Sequence, residues 1–181
     1  VVIADARYML AQDGSRYDLI IMDAFSGDST PSHLLTREAL ERVKARLAPD
    51  GVLAINVIGD ANTAPALSPA IVGTLHTQFR EVAAFPLFDL QDKKGGHGNL
   101  VLIAADRAVS PALSARFANA HALTESGLAL GMREARLLAR ESNPLILTDD
   151  FNPLDVLDVE LHESIRRTIV ETTPSAILLH G

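Results

Sequence analysis

The chain has 181 residues, of which 48% are hydrophobic and 22% charged, a balance that provides for a core and excludes wholesale disorder. Its net charge of -7 argues against a nucleic-acid surface, and no apolar run approaches the roughly 20 residues that span a bilayer. There is no cysteine, hence no disulfide framework and no thiolate ligand; the histidines lack metal-ligand spacing, so no metal site is expected. The first ten residues lack the basic, apolar and small-residue order of a signal peptide, and a soluble cytoplasmic protein is the expectation.

In chain order, Val1-Val2-Ile3 reads as a strand fragment delivering Asp5, with no turn or cap before it, which suggests that an amino-terminal part is missing. Tyr8 to Gln12 reads as a short helix closed by Asp13-Gly14-Ser15. Asp18 to Met22 is a continuous apolar run, the pattern of a parallel strand covered on both faces. Thr36 is placed to cap a helix whose apolar stripe is Ala39, Leu40, Val43 and Leu47, with Glu38 in its first turn. Ala48-Pro49-Asp50-Gly51 stops that helix, and Val52 to Ile58 is the next buried strand. Ser68-Pro69 opens a helix to about Phe79 by the cap-then-proline order. Val82 to Phe88 and Leu100 to Ala104 are strands joined by a Gly-rich turn too short for a crossover, hence an antiparallel hairpin. Ser110 to Arg140 reads as helical, 147–153 as a loop, and Leu157, Leu161, Ile165 and Ile169 as the stripe of a last helix. The sum is α/β: the carboxyl-terminal portion of a Rossmann-like, methyltransferase-type sheet, mostly parallel with a closing antiparallel hairpin and helices on both faces. Residues 1–106 form this partial domain, and 107–181 a helical extension packed on it.

The chemistry-bearing residues gather around one stretch, Tyr17 to Leu35. Asp23 ends the apolar strand, at the edge where open α/β sheets hold their ligands. Asp28 follows in the same loop, and a second acid there favours a ligand site over the turn-capping role that Asp often has, while Asp28 itself also reads as a plain loop acid. Asp149 and Asp150 precede a proline-containing turn and suit either a cation or a helix cap, because Asn152-Pro153 is itself a cap-plus-proline pair. His33 reads as an incidental loop histidine, and Lys93-Lys94-Gly95-Gly96 as a hairpin turn, since it lacks the strand-to-helix context of a phosphate loop.

Three pieces, the opening DAR, the block YDLIIMDAFSGDSTPSHLLTREAL running into PDGVLAINVIG, and the late LTDDFNPLD, resemble the polyamine aminopropyltransferase (spermidine synthase) family, particularly its bacterial spermidine-synthase-like members. The resemblance implies transfer of an aminopropyl group from decarboxylated S-adenosylmethionine, a co-substrate rather than a resident cofactor, to a polyamine or other amine. It implies that Asp23 orients the attacking nitrogen and accepts its proton, and that Asp5 with the Ala6 backbone meets the adenine edge. It implies further that Asp28, Asp149 and Asp150 face the cationic amine, although the spacing from Asp23 to Asp28 is longer than the family's usual one. The family's Gly-rich loop and ribose-binding acid lie upstream of DAR, and no GxGxxG-type stretch follows a strand here, so weak nucleotide binding, or none, is expected of this chain alone. Few tyrosines are present to line an amine groove. The alternatives are an S-adenosylmethionine-dependent methyltransferase and a non-catalytic dimerisation or interaction remnant. A sheet edge laid bare recruits another chain, so a homodimer is expected.

Overall fold

The computed structural model describes residues 2–12, 14–25, 30–60, 66–88, 97–107 and 143–173. Its elements are α1 (Ala6–Gln12), β1 (Tyr17–Met22), a 3-10 turn (Ser32–Leu34), α2 (Arg37–Arg46), β2 (Leu47–Asp60), α3 (Leu67–His76), β3 (Glu81–Pro86), β4 (His97–Ala105), α4 (Leu154–Leu157) and α5 (Val159–Thr172). The four strands form one sheet in the order β1-β2-β4-β3. β1 is parallel to β2, while β4 is antiparallel to both β2 and β3, so three strands run one way and β4 runs against them. The expected hairpin is therefore present, and its second strand is the one inserted next to β2.

Alternation along the strands shows which face carries the core. Leu53, Ile55 and Val57 on β2 and Leu100, Leu102 and Ala104 on β4 are buried, and the residues between them are only half-buried. They pack with Leu40 and Val43 of α2 and with Leu67, Ile71, Val72 and Leu75 of α3. Full burial of a side chain of this size contributes roughly 1.5–3 kcal/mol, so this face accounts for most of the described core. Leu147, Leu154 and Leu161 join the same cluster from the end of the chain.

Local sequence accounts for the helix limits. Thr36 is extended and its hydroxyl accepts the Ala39 N–H at 3.2 Å, and the predicted stripe Ala39, Leu40 and Val43 is the buried one. Leu47 does not continue the stripe: it opens β2 and pairs with Tyr17, and the register then jumps so that Leu19 meets Val52. The intervening 48–51 segment folds back closely. A Cβ on Gly51 would lie 2.9 Å from the Tyr17 carbonyl oxygen and 3.0 Å from Ala48 backbone atoms, which only glycine avoids. α3 begins before the expected Ser68 cap, with Ala66 at the N-cap; Pro69 is tolerated because first-turn N–H groups have no intrahelical partner in any case.

Three expectations are corrected. Residues 2 and 3 form no strand, and Ile3 is 98% exposed, because no strand among the described residues lies beside them to pair with. β1 is not covered on both faces: it is an edge strand, with Leu19 52% and Ile21 66% exposed while Ile20 and Met22 turn toward the core. An unbroken apolar run leaves the number of covered faces open, and here packing covers one. The last helix is two, α4 and α5, and its stripe is buried at Leu161 but exposed at Ile169. The helix expected over 110–140 and the turn residues 89–96 lie outside the described residues. An apolar groove of about 370 Å³ runs along β1, bounded by Ala6, Met9 and Leu10 of α1 and by Leu34 and Val43. No helix among the described residues is long and apolar enough to cross a membrane.

The asymmetry of the two faces has a measurable consequence. Leu53→Ala is expected to lower the unfolding free energy in urea by about 2–5 kcal/mol, whereas Leu19→Ser changes it by less than about 0.5 kcal/mol. Equal losses would show that the outer face of β1 is covered in solution.

Candidate functional site

Parallel pairing brings the carboxyl ends of β1 and β2 side by side. The register Ile21↔Ala54 and Met22↔Ile55 carries Asp23 to the level of Asn56. Side chains alternate along a strand, so Asp23 shares the outer face with Leu19 and Ile21, and Asn56 shares it with Val52 and Ala54. The Asn56 amide donates from Nδ2 to Asp23 Oδ1 at 3.1 Å, and Asp23 is otherwise exposed. Asp23 is thus an acid at the open end of the parallel pair, held by one neutral donor among the described residues. Asn56 is a residue that the sequence reading passed over. The signal was present: it is the sole polar side chain in Val52–Ile58, and a polar group in an apolar strand requires a partner.

A second group lies around α1 and the turn before α2. Asp5 accepts the Tyr8 N–H at 2.9 Å and so caps α1, and its other oxygen is 3.5 Å from His33 Nε2. The Tyr8 N–H is the main reason that the Asp5 carboxyl titrates below its ordinary range, with the nearby His33 adding to it. Ala6 is the first residue of α1. Asp149 is the centre of a cross-link: Arg7 pairs with Oδ2, and the Thr36 hydroxyl donates to Oδ1 at 2.7 Å. The Asp149 N–H donates to Glu38 Oε2 at 2.9 Å, and the Arg37 N–H donates to the Leu147 carbonyl at 2.8 Å. Arg7 also donates to the His33 carbonyl at 3.2 Å, and Asn152 to the Ser32 carbonyl at 2.8 Å. The 147–153 segment is thereby fastened to the start of α2, to the 3-10 turn and to α1.

The structure therefore gathers Asp5, Asp149 and His33 through Arg7, and separately joins Asp23 to Asn56. Both Asp149 oxygens are engaged by protein donors, and Asp150 beside it is exposed. Asp28 lies outside the described residues. Arg7, at the end of the DAR triplet, proves to be the hub that connects residues 142 positions apart, for which a single sequence carries no signal. Among the described residues no three or more His, Asp or Glu side chains come together as metal ligands would.

No protein-family model matches the chain. A 43-residue segment is 49% identical to a polyamine aminopropyltransferase of Vibrio vulnificus, covering 24% of this chain and 14% of that protein. A 92-residue segment is 36% identical to an N-terminal histidine N-methyltransferase of Emericella nidulans, covering 46% of this chain and 16% of that protein. In fold, 82% of the chain matches 53% of a probable spermidine synthase from Corynebacterium glutamicum, with a TM-score of 0.59 at 21% identity. The chain thus spans about half of that solved protein and matches a much smaller share of the curated relatives. The structural likeness establishes the fold: an α/β, Rossmann-like sheet of the kind that the element order predicts.

The Asp149 cross-link predicts a pH dependence. Chiefly through its hydrogen bond from Arg7, and despite partial burial, the Asp149 carboxyl is held below its ordinary value of 3.8. A folded-state value below the unfolded one contributes stability that is fully present above pH 3.8 and is lost as the pH falls through the folded value. Asp149→Asn is accordingly expected to melt below the parent protein near about pH 7 and to converge with it under acid conditions. Parallel melting curves down to the acid limit would show that the pair contributes nothing to folding.

Proposed function

We propose that this chain, which is spermidine-synthase-like in its matched segment and in its fold, supports aminopropyl transfer from decarboxylated S-adenosylmethionine to an amine, with Asp23 as the proton acceptor. The observation that carries the reading is the placement of Asp23: an exposed carboxylate at the carboxyl end of a parallel strand, held by a neutral donor and by no cation among the described residues. In the reaction the amine nitrogen attacks the methylene carbon beside the sulfonium. The carbon–sulfur bond breaks, its electrons pass to sulfur, and methylthioadenosine leaves as a neutral thioether. The new ammonium then gives up one proton, and the carboxylate takes it. Only an unprotonated amine carries the lone pair that the attack needs, so a base at this position raises the reactive fraction as well as orienting it.

The remaining acids are assigned on the same resemblance. Asp5 and the Ala6 backbone are proposed to read the adenine edge, and Asp28 and Asp150 to supply negative charge toward a cationic amine. The resemblance would put Asp149 on the same rim, but Arg7 and Thr36 take both of its oxygens, and we propose that it serves the fold there rather than the amine. No GxGxxG-type stretch follows a strand in these residues, and we propose that the nucleotide binds weakly to this chain by itself. We further propose pairing of two copies through the backbone edge of β1, which has one strand neighbour among the described residues. A monomer by light scattering at micromolar concentration would refute that pairing. The second reading, methyl transfer from S-adenosylmethionine, draws support from the segment shared with the histidine N-methyltransferase.

Calorimetric titration with methylthioadenosine, S-adenosylmethionine and decarboxylated S-adenosylmethionine, followed by product analysis with a diamine, separates these readings. Preference for the decarboxylated ligand with release of methylthioadenosine is the expected result, and Asp23→Asn is expected to lower turnover by about 100- to 10,000-fold. Preference for S-adenosylmethionine with a methylated product would replace the first reading by the second. Binding of none of the three would overturn both.

A further inference from the structure

The amide of Asn56 is unevenly satisfied. Its Nδ2 donates to Asp23, yet its Oδ1 is buried and has no hydrogen-bond partner among the described residues. Leaving a buried carbonyl unpaired costs roughly 1–3 kcal/mol, so a side chain kept only for packing would be apolar at this position, as every other residue of Val52–Ile58 is. Rotating the amide by half a turn does not remove the cost, because it would set Oδ1 against the Asp23 carboxylate. The donor orientation is thus imposed by Asp23.

From this we infer that Asn56 is a positioning residue for Asp23: it fixes one carboxylate oxygen, Oδ1, and so presents Oδ2 to whatever the acid acts on. A carboxylate at the end of a strand is free to turn about its last side-chain bond, and a single donor in a neighbouring strand stops that rotation. The donor being neutral matters as well. An Arg or Lys at position 56 would hold the carboxylate more strongly but would also repel a cationic amine, whereas an amide orients the acid and leaves its negative charge uncompensated. The inference rests on the proposed role of Asp23 for its catalytic consequence and on geometry alone for the contact.

The test combines a kinetic cycle with a signal that does not depend on turnover. In Asn56→Leu, kcat is expected to fall by about 10- to 100-fold, the equivalent of one hydrogen bond to a charged group, while nucleotide affinity stays within about twofold. Asn56→Gln, which keeps an amide donor, is expected to recover most of the loss. In an Asp23→Ala background, Asn56→Leu is expected to have no further effect, because a residue acting through Asp23 has nothing left to position. Additive losses, or an equal loss in Asn56→Gln and Asn56→Leu, would overturn the inference. The second measurement follows the side-chain NH2 resonances of Asn56 in protein labelled with nitrogen-15, which are expected to shift on Asp23→Ala. Should the unaltered protein show no aminopropyl transfer, the proposed function fails, and an unmoved Asn56 signal in Asp23→Ala would by itself sink the positioning role.

Discussion

The parallel pairing of β1 with β2 is the constraint on which the rest depends. Neither strand carries a site alone: β1 supplies an acid and β2 an amide, and the register Met22↔Ile55 sets them level. A slip of one residue would send Asp23 to the core face and turn Ile20 and Met22 outward, so the burial pattern and the site are held by the same register. The register is anchored at its other end by the return of the chain through 48–51, where Gly51 passes under the Tyr17 carbonyl with no room for a side chain. A feature at the opening of the strand therefore helps to place a carboxylate at its close.

The second organising feature is the tie between the two ends of the described chain. Thr36 works in two directions, accepting from Ala39 as the cap of α2 and donating to Asp149. Thr74 does the same deeper in the core, donating to the Ala70 carbonyl at 2.7 Å and accepting the Leu147 N–H at 2.9 Å. Each hydroxyl meets a local need of its helix and spends its remaining capacity on the 147–153 segment. A segment without a helix or strand of its own is thereby held by backbone and side-chain bonds to α2, α3 and the 3-10 turn. Arg7 completes the arrangement, so that the DAR triplet contributes a structural cation as well as the acid expected to read a nucleotide.

The two acids that stand out in the sequence thus come to differ in circumstance. Asp149 has both oxygens taken by donors, one of them a cation, which is the environment of a group that stabilises a fold. Asp23 is exposed and has one oxygen held by an amide, which leaves the carboxylate within reach of a ligand. Their residue type is the same, and their neighbours separate them.

The sequence by itself determined what depends on short range. The Thr36 cap, the Ala39–Leu40–Val43 stripe, the end of α2 before 48–51, the hairpin direction of β3 and β4, and the position of Asp23 at a strand end follow from residues a few positions apart, where the chain's own geometry leaves little choice. Tertiary structure decided the rest. Whether Leu19 and Ile21 are covered depends on what lies beside β1, and an apolar run reads alike at an edge and in the middle of a sheet. That Asn56 holds Asp23, and that Arg7 reaches Asp149, are contacts across 33 and 142 residues, fixed by strand register and helix docking. Such pairings are decided only once the core has closed, because it is the burial of Leu53, Ile55, Leu100 and Leu102 against α2 and α3 that brings distant polar groups within reach of one another.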